Sequence, residues 1–260
     1  MLLVDFRKAF DSVSRDFIFS VLWEMGFPER FVGWVEGLHK YTKTRLLINA
    51  WLGEVVNVRS GVRQGCPLPP YLFLCAVEPL AHEAMRRKLG LCNKAGQRLV
   101  YLGYADDTTL FLEGKRQIAR AEKLLDYFTG LSGLVTNREK SVILPLGHNL
   151  DRRLGTLGGF KWAKAEEAER LLGVWVISSG SSEPTWKRAF EKIIVELIKW
   201  KALFLTLAAR VVIINCYITP RIAYQAQVYP PPDEIWSKLK KLVHNLQSGN
   251  NALAERFFVL

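Results

Sequence analysis

The chain has 260 residues, 49% of them hydrophobic; that is enough for one large domain or two modest ones and excludes wholesale disorder. A formal net charge of +11 points to a polyanionic partner, nucleic acid before membrane, and no apolar run approaches the length of a membrane span. Cys66, Cys75, Cys92 and Cys216 form no Cys-x-x-Cys pair and no histidine cluster accompanies them, which argues against zinc and fits a reducing, intracellular setting.

In chain order, Leu2-Leu3-Val4 reads as a short buried strand ending in the carboxylate of Asp5. It begins directly after Met1, and the expectation is that the chain is a piece of something longer. Ser14 is placed to cap a helix whose apolar positions are Phe17, Ile18, Val21, Leu22 and Met25. Gly26 ends it, and Pro28 starts the next, with Phe31, Val32, Val35 and Leu38 on its apolar side. Thr44–Ala50 and Glu54–Val58 read as paired strands joined near Gly53. A Gly/Pro-rich loop covers 60–70, and a helix is expected from Tyr71 towards Leu89, kinked or split at Pro79. After a hairpin at 99–112 comes an amphipathic helix through Ile118, Leu124, Phe128 and Leu131, stopped by Gly133. Lys140–Leu144 and Leu171–Ile177 read as strands flanking a polar connection, Gly147–Glu169. Gly180–Glu183 reads as a linker. Beyond it the pattern is helical, with a long helix over Trp186–Phe204, a second from Thr206 to Ile218 broken at Pro220, and a last one capped by Asp233. The division expected is an α/β domain over 1–178 and a small helical domain over 183–260.

The hairpin at 99–112 carries the chemistry. Strand-forming residues flank Tyr104-Ala105-Asp106-Asp107, so the simplest geometry puts the two carboxylates at a hairpin tip. Adjacent carboxylates repel, a cost that a divalent cation with a taste for hard oxygen ligands removes. If the first strand lies beside this hairpin, Asp5 meets Asp106 across one strand spacing, about 5 Å. Three carboxylates suffice for two divalent ions about 3.5–4 Å apart, the arrangement that handles in-line phosphoryl transfer. Taken singly, each is more simply read as a carboxylate in an acidic turn.

The ordered set is more specific. Leu3-Val-Asp5-Phe-Arg-Lys-Ala-Phe10-Asp11, Gly61-Val-Arg-Gln-Gly-Cys-Pro-Leu68 and Tyr104-Ala-Asp-Asp107 resemble three successive motifs of reverse transcriptases, and the wording of the second resembles the non-LTR (LINE-type) retrotransposon branch. The likeness continues in Gly133-Leu-Val-Thr-Asn137-Arg-Glu-Lys140-Ser, in Leu171-Leu-Gly173-Val, and in Leu205-Thr-Leu-Ala-Ala-Arg210 with Pro220-Arg-Ile-Ala-Tyr224.

The resemblance implies an α+β polymerase palm, an antiparallel sheet with packed helices, followed by a small helical thumb, with the fingers segment largely missing. It implies an RNA-directed DNA polymerase that works with two Mg²⁺ ions on an RNA template, a DNA primer and dNTPs. Asp5, Asp106 and Asp107 would hold the ions and Lys140 would serve as a general acid. Phe10 would be the steric gate against a 2′-OH, while Arg63, Gln64, Gly65 and Tyr104 would bind substrate. Gly173 would belong to the region that grips the primer, and Lys187, Arg188, Lys192, Lys199 and Lys201 would be available to phosphates. The parent element would act in the nucleus, and its fingers and endonuclease portions would be further partners. Proline at 69, where the family has serine, is expected to disturb the loop. The alternative reading is an inactive relic that retains nucleic-acid binding.

Overall fold

A computed structural model describes residues 1–63, 65–93, 95–147, 159–164, 167–201 and 205–248. Contacts divide these into two units, the first holding residues 1–145 and 159–164, the second residues 146–147 and 167 onwards. The boundary expected at 178–183 differs from this division, because the segment at 169–176 belongs by contacts with the helices that follow it.

The first unit begins with β1 (Leu2–Val4), the short helix α1 (Ala9–Ser12), α2 (Arg15–Glu24) and α3 (Glu29–Lys40). The Ser14 hydroxyl accepts the Phe17 N–H at 3.3 Å, the cap its position predicts. Four two-residue strands follow: β2 (Lys43–Thr44), β3 (Leu47–Ile48), β4 (Trp51–Leu52) and β5 (Val56–Asn57). They form an arm in which Lys43 faces Asn57 at the base and Ile48 faces Trp51 near the tip. Its turn is Asn49-Ala50, both at positive φ, rather than the neighbourhood of Gly53, whose N–H bonds Leu46 within the arm.

Helix α4 (Leu68–Arg86) runs through Pro79 as a single helix. Its buried side, including Leu72, Phe73, Ala76, Leu80 and Ala84, packs on both sides of the proline, and this packing outweighs one missing backbone bond. Pro69 lies in its first turn, where an N–H has no intrahelical acceptor to serve, so the expected disturbance does not arise. After β6 (Leu91–Cys92) and β7 (Arg98–Leu99) come β8 (Tyr101–Tyr104), β9 (Asp107–Leu110), α5 (Gly114–Ser132), β10 (Val142–Ile143) and β11 (Lys161–Trp162). The last of these falls within the segment expected to be a plain connection, most of which lies outside the described residues. The main sheet has the order β11-β10-β1-β9-β8, with β1 central, antiparallel to both neighbours, and β11 parallel to β10. Leu2, Val4 and Leu110 send their side chains into one core with those of α2, α4 and α5. This is the α+β arrangement expected of a polymerase palm.

The second unit pairs β12 (Glu169–Leu171) with β13 (Val174–Val176), two strands where one was expected. Then come α6 (Glu183–Lys201), α7 (Leu207–Ile213), a π-helical turn at Ile214–Ile218, α8 (Thr219–Ala226) and α9 (Asp233–Ser248). Phe204, the expected end of the long helix, lies outside the described residues. Pro220 sits in the first turn of α8 and does not end the helical run. Trp186, Ile193, Ile214, Ile218, Leu239 and Leu242 make the core of this unit. No helix among the described residues is long and apolar enough to cross a membrane.

The ladder between β1 and β10 extends to Met1, whose amine donates to the Leu144 carbonyl at 2.7 Å and whose carbonyl accepts the Leu144 N–H at 2.8 Å.

Candidate active site

Asp5 leaves β1 held on both sides by the chain that leads into β10. Its N–H donates to the Ser141 hydroxyl at 3.1 Å, and its carbonyl accepts the Asn137 N–H at 2.7 Å. Ser141 is wholly buried, and its hydroxyl donates in turn to the Asn137 carbonyl at 2.7 Å. Phe6 bridges to Thr136, and the Arg7 N–H reaches the Val135 carbonyl at 2.9 Å. The backbone that presents the carboxylate is thus clamped over three residues.

Register decides which carboxylate Asp5 meets. Leu2 lies opposite Leu110, Leu3 opposite Thr109 and Val4 opposite Thr108, so the next position brings Asp5 level with Asp107, not with Asp106. Tyr104 faces Asp107 across the hairpin, closing a two-residue loop of Ala105 and Asp106. Alternation along the strands puts Asp5, Asp107 and Tyr104 on one face of the sheet, neighbouring strands being about 5 Å apart. Asp106 stands in the loop beyond that ladder, beside Ala105 at φ 52°. Asp5 is half-buried, while Tyr104, Asp106 and Asp107 are exposed. Among the described residues no group of three or more His, Cys, Asp or Glu side chains is gathered closely enough to hold a metal ion. Asp5 and Asp107 are the pair the sheet brings together.

Phe10, in α1, packs its ring on Phe73 of α4 with centroids 4.5 Å apart, and its carbonyl accepts the Val62 N–H at 2.8 Å. The 58–65 loop is fastened at this same place. The Gly61 N–H bonds the Val13 carbonyl at 2.9 Å and the Ser60 hydroxyl bonds the Asp11 carbonyl at 3.0 Å. Arg63 and Gly65 follow on the exposed side, and Gln64 lies outside the described residues. Lys140 is exposed in the turn directly before Ser141.

Sequence reasoning missed the residue that holds this loop. Arg15 is buried and donates to the carbonyls of Gly61 at 3.0 Å, Val58 at 2.8 Å, Ser60 at 3.2 Å and His39 at 2.5 Å. Burial, and then the Arg63 cation, pull it below the usual arginine value. The signal was present: Arg15 shares helical spacing with the buried Ile18 and Leu22, where an apolar residue belongs. Arg15→Met keeps the length and takes this donor from the Gly61, Val58 and Ser60 carbonyls, while that of His39 keeps the Thr42 hydroxyl. A loss of about 3 kcal/mol is expected in urea unfolding, with partial recovery in Arg15→Lys; a loss below about 1 kcal/mol would show that the loop is held otherwise.

In the second unit the turn Leu172-Gly173 is grasped from α8, by the Tyr224 hydroxyl on the Leu172 carbonyl and by Gln225 Nε2 on the Gly173 carbonyl at 3.3 Å. Of the cations expected to meet phosphates, Arg188 lies over the Trp175 ring at 3.4 Å and Lys199 pairs with Glu196 at 3.4 Å. Lys187 and Lys192 are exposed, and the side chain of Lys201 lies outside the described residues.

Residues 1–176 match the reverse transcriptase (RNA-dependent DNA polymerase) family, and the chain belongs to it. It is 28% identical over 247 residues to the transposon TX1 uncharacterized 149 kDa protein of Xenopus laevis, covering 92% of this chain and 19% of that protein. It is 32% identical over 139 residues to the Pol polyprotein of the type-2 retrotransposable element R2DM of Drosophila melanogaster, covering 53% of this chain and 13% of that one. These relatives place it with the non-LTR reverse transcriptases. The chain spans a fifth or less of their length. Among solved structures, telomerase from Candida albicans in complex with a telomeric RNA fragment aligns at a TM-score of 0.43 and 12% identity, over 97% of this chain and 45% of that one.

Proposed function

We propose that this chain is the part of a retrotransposon polymerase that adds deoxynucleotides to a primer 3′-hydroxyl on an RNA template. Family membership supplies the reaction class. The observation that carries the site is the β1–β9 register, which ends at Val4 opposite Thr108 and, continued by one position, brings Asp5 level with Asp107. Hard carboxylate oxygens on one sheet face suit Mg²⁺, and Asp5 and Asp107, with Asp106 from the loop, are the residues that would hold it. A metal held there would supply a lowered pKa at the attacking hydroxyl and charge stabilisation at the leaving phosphate oxygens.

The remaining roles belong to the chain's own groups. Ser141 and Asn137 orient Asp5 through its backbone. Phe10, backed by Phe73, presents a ring with no hydrogen-bonding group to the sugar. Arg63 and Gly65 lie on the loop that Arg15 holds against α1, and Lys140 is the cation assigned to the leaving pyrophosphate. A second reading, nucleic-acid binding without turnover, is favoured by the lack of a gathered three-carboxylate group among the described residues.

Primer extension on an RNA template with Mg²⁺ separates the two readings. Incorporation supports the first; duplex binding without incorporation supports the second. Within the first, Phe10→Val opens the space beside the sugar. The ratio of kcat/KM for dNTP over rNTP is expected to fall about tenfold or more. An unchanged ratio in a folded variant would make Phe10 an ordinary core ring on Phe73.

A further inference from the structure

Away from the carboxylates, a cleft of about 680 Å³ opens between the α1–α2 junction, the end of α3 and the base of the arm. It is lined by four cations, Arg15, Lys40, Lys43 and Arg59, against two carboxylates, Asp16 and Glu36. Lys40 and Lys43 come from the end of α3 and the strand that follows it, Arg59 from the far side of the arm, and none makes an ion pair among the described residues. Nor do the two carboxylates, so the cleft keeps an excess of positive charge that no ion pair among the described residues neutralises. The fourth cation is of another kind. Arg15 is 8% exposed, and its bonds to four carbonyls use four of its five N–H groups. The fifth, on Nη2, has no acceptor among the described residues. Tyr41, 80% exposed, adds an uncovered aromatic ring at the rim.

We propose that this cleft binds a phosphate group, with Lys43 and Arg59 as its main contacts. A phosphate carries more charge than a carboxylate and enough acceptor oxygens for several donors at once, which suits converging cations and a spare guanidinium N–H. The cleft volume lies in the range of sites that enclose small ligands. The group is supplied either by a nucleic-acid strand or by a free phosphate compound. Because Arg15 also bonds Gly61 and Ser60, the occupied cleft is tied to the loop that carries Arg63. The site is separate from Asp5 and Asp107 and stands whether or not they catalyse.

The test titrates the chain with inorganic phosphate and with hexathymidylate at fixed ionic strength. Lys43→Ala/Arg59→Ala is compared with Lys115→Ala/Lys123→Ala, which removes the same charge from exposed positions of α5. All four side chains are exposed, and Lys40→Gln is a milder replacement should the first pair melt early. The expected result is that the cleft pair weakens binding about tenfold while the control pair leaves it within about twofold. Saturable binding of phosphate, with no gain for the oligonucleotide, identifies a free phosphate ligand. Tighter binding of the oligonucleotide, falling steeply with salt, identifies a strand. No binding of either probe to the unmodified chain overturns the proposal. So does an equal loss in both pairs, which would mark diffuse charge attraction. Primer extension is unaffected by either failure, since it reports on the carboxylates.

Discussion

Asp5→Asn and Asp107→Asn are each expected to reduce nucleotide incorporation by about 100- to 1000-fold, the size of effect seen when one charge-stabilising group is removed from a reacting centre. The two residues lie level on neighbouring strands, following three consecutive paired positions. Asparagine keeps the shape and one oxygen and removes the charge, which is the property a hard divalent ion selects. Neither side chain belongs to the buried core, so the fold is expected to survive and the loss to be chemical. Asp106→Ala is expected to lose incorporation as well, by removing a carboxylate from the loop. A second measurement keeps activity and metal apart: the Mg²⁺ concentration that half-stabilises the chain against heat should rise in Asp5→Asn and Asp107→Asn. Wild-type incorporation by Asp107→Asn would sink the assignment of the site. Lost incorporation with unchanged Mg²⁺ dependence would move these carboxylates to another role.

Gly61→Ala is expected to be the most damaging single substitution in the 58–65 loop. Its φ of 75° is left-handed, and an added Cβ would stand 2.5–2.6 Å from the backbone O, C and Cα of Asp11. Those atoms cannot turn aside as a side chain could. The loop must leave α1, and with it would go the Gly61–Val13 and Val62–Phe10 bonds and the Arg15 clamp. A loss of about 4 kcal/mol or more is expected from strain, overlap and orphaned polar groups together. Gly65→Ala is the internal control. Its φ is 85°, yet nothing lies within 4 Å of the added carbon. Only the backbone term applies there, about 1–2 kcal/mol. Urea unfolding of both variants measures the difference. Equal losses would mean that the approach of Asp11 is not what makes glycine necessary at 61.

Much of this protein could be read along the chain because the causes are local. Apolar residues at helical spacing mark α2, α3 and α5, and Ser14 caps α2 through the residue three places on. Strand-forming flanks around Ala105 and Asp106 specify β8, β9 and a tight loop between them, with the carboxylates at or beside it. The ordered motifs carried the family. What could not be read there depends on partners far away in sequence. That the β1–β9 register leads Asp5 towards Asp107 instead of Asp106 is decided between strands about a hundred residues apart, and a step of one reverses every side chain. Arg15 looks like a misplaced charge on an apolar face until the carbonyls of His39, Val58, Ser60 and Gly61 gather around it. Ser141 becomes a support for Asp5 only across 136 residues. Strands β12 and β13 belong with α6 and α8 through Thr185 and Tyr224, which no pattern within the strands contains. Backbone preference and amphipathic spacing act over a few residues, whereas register, the satisfaction of buried polar groups and close backbone approach are settled only when distant segments meet.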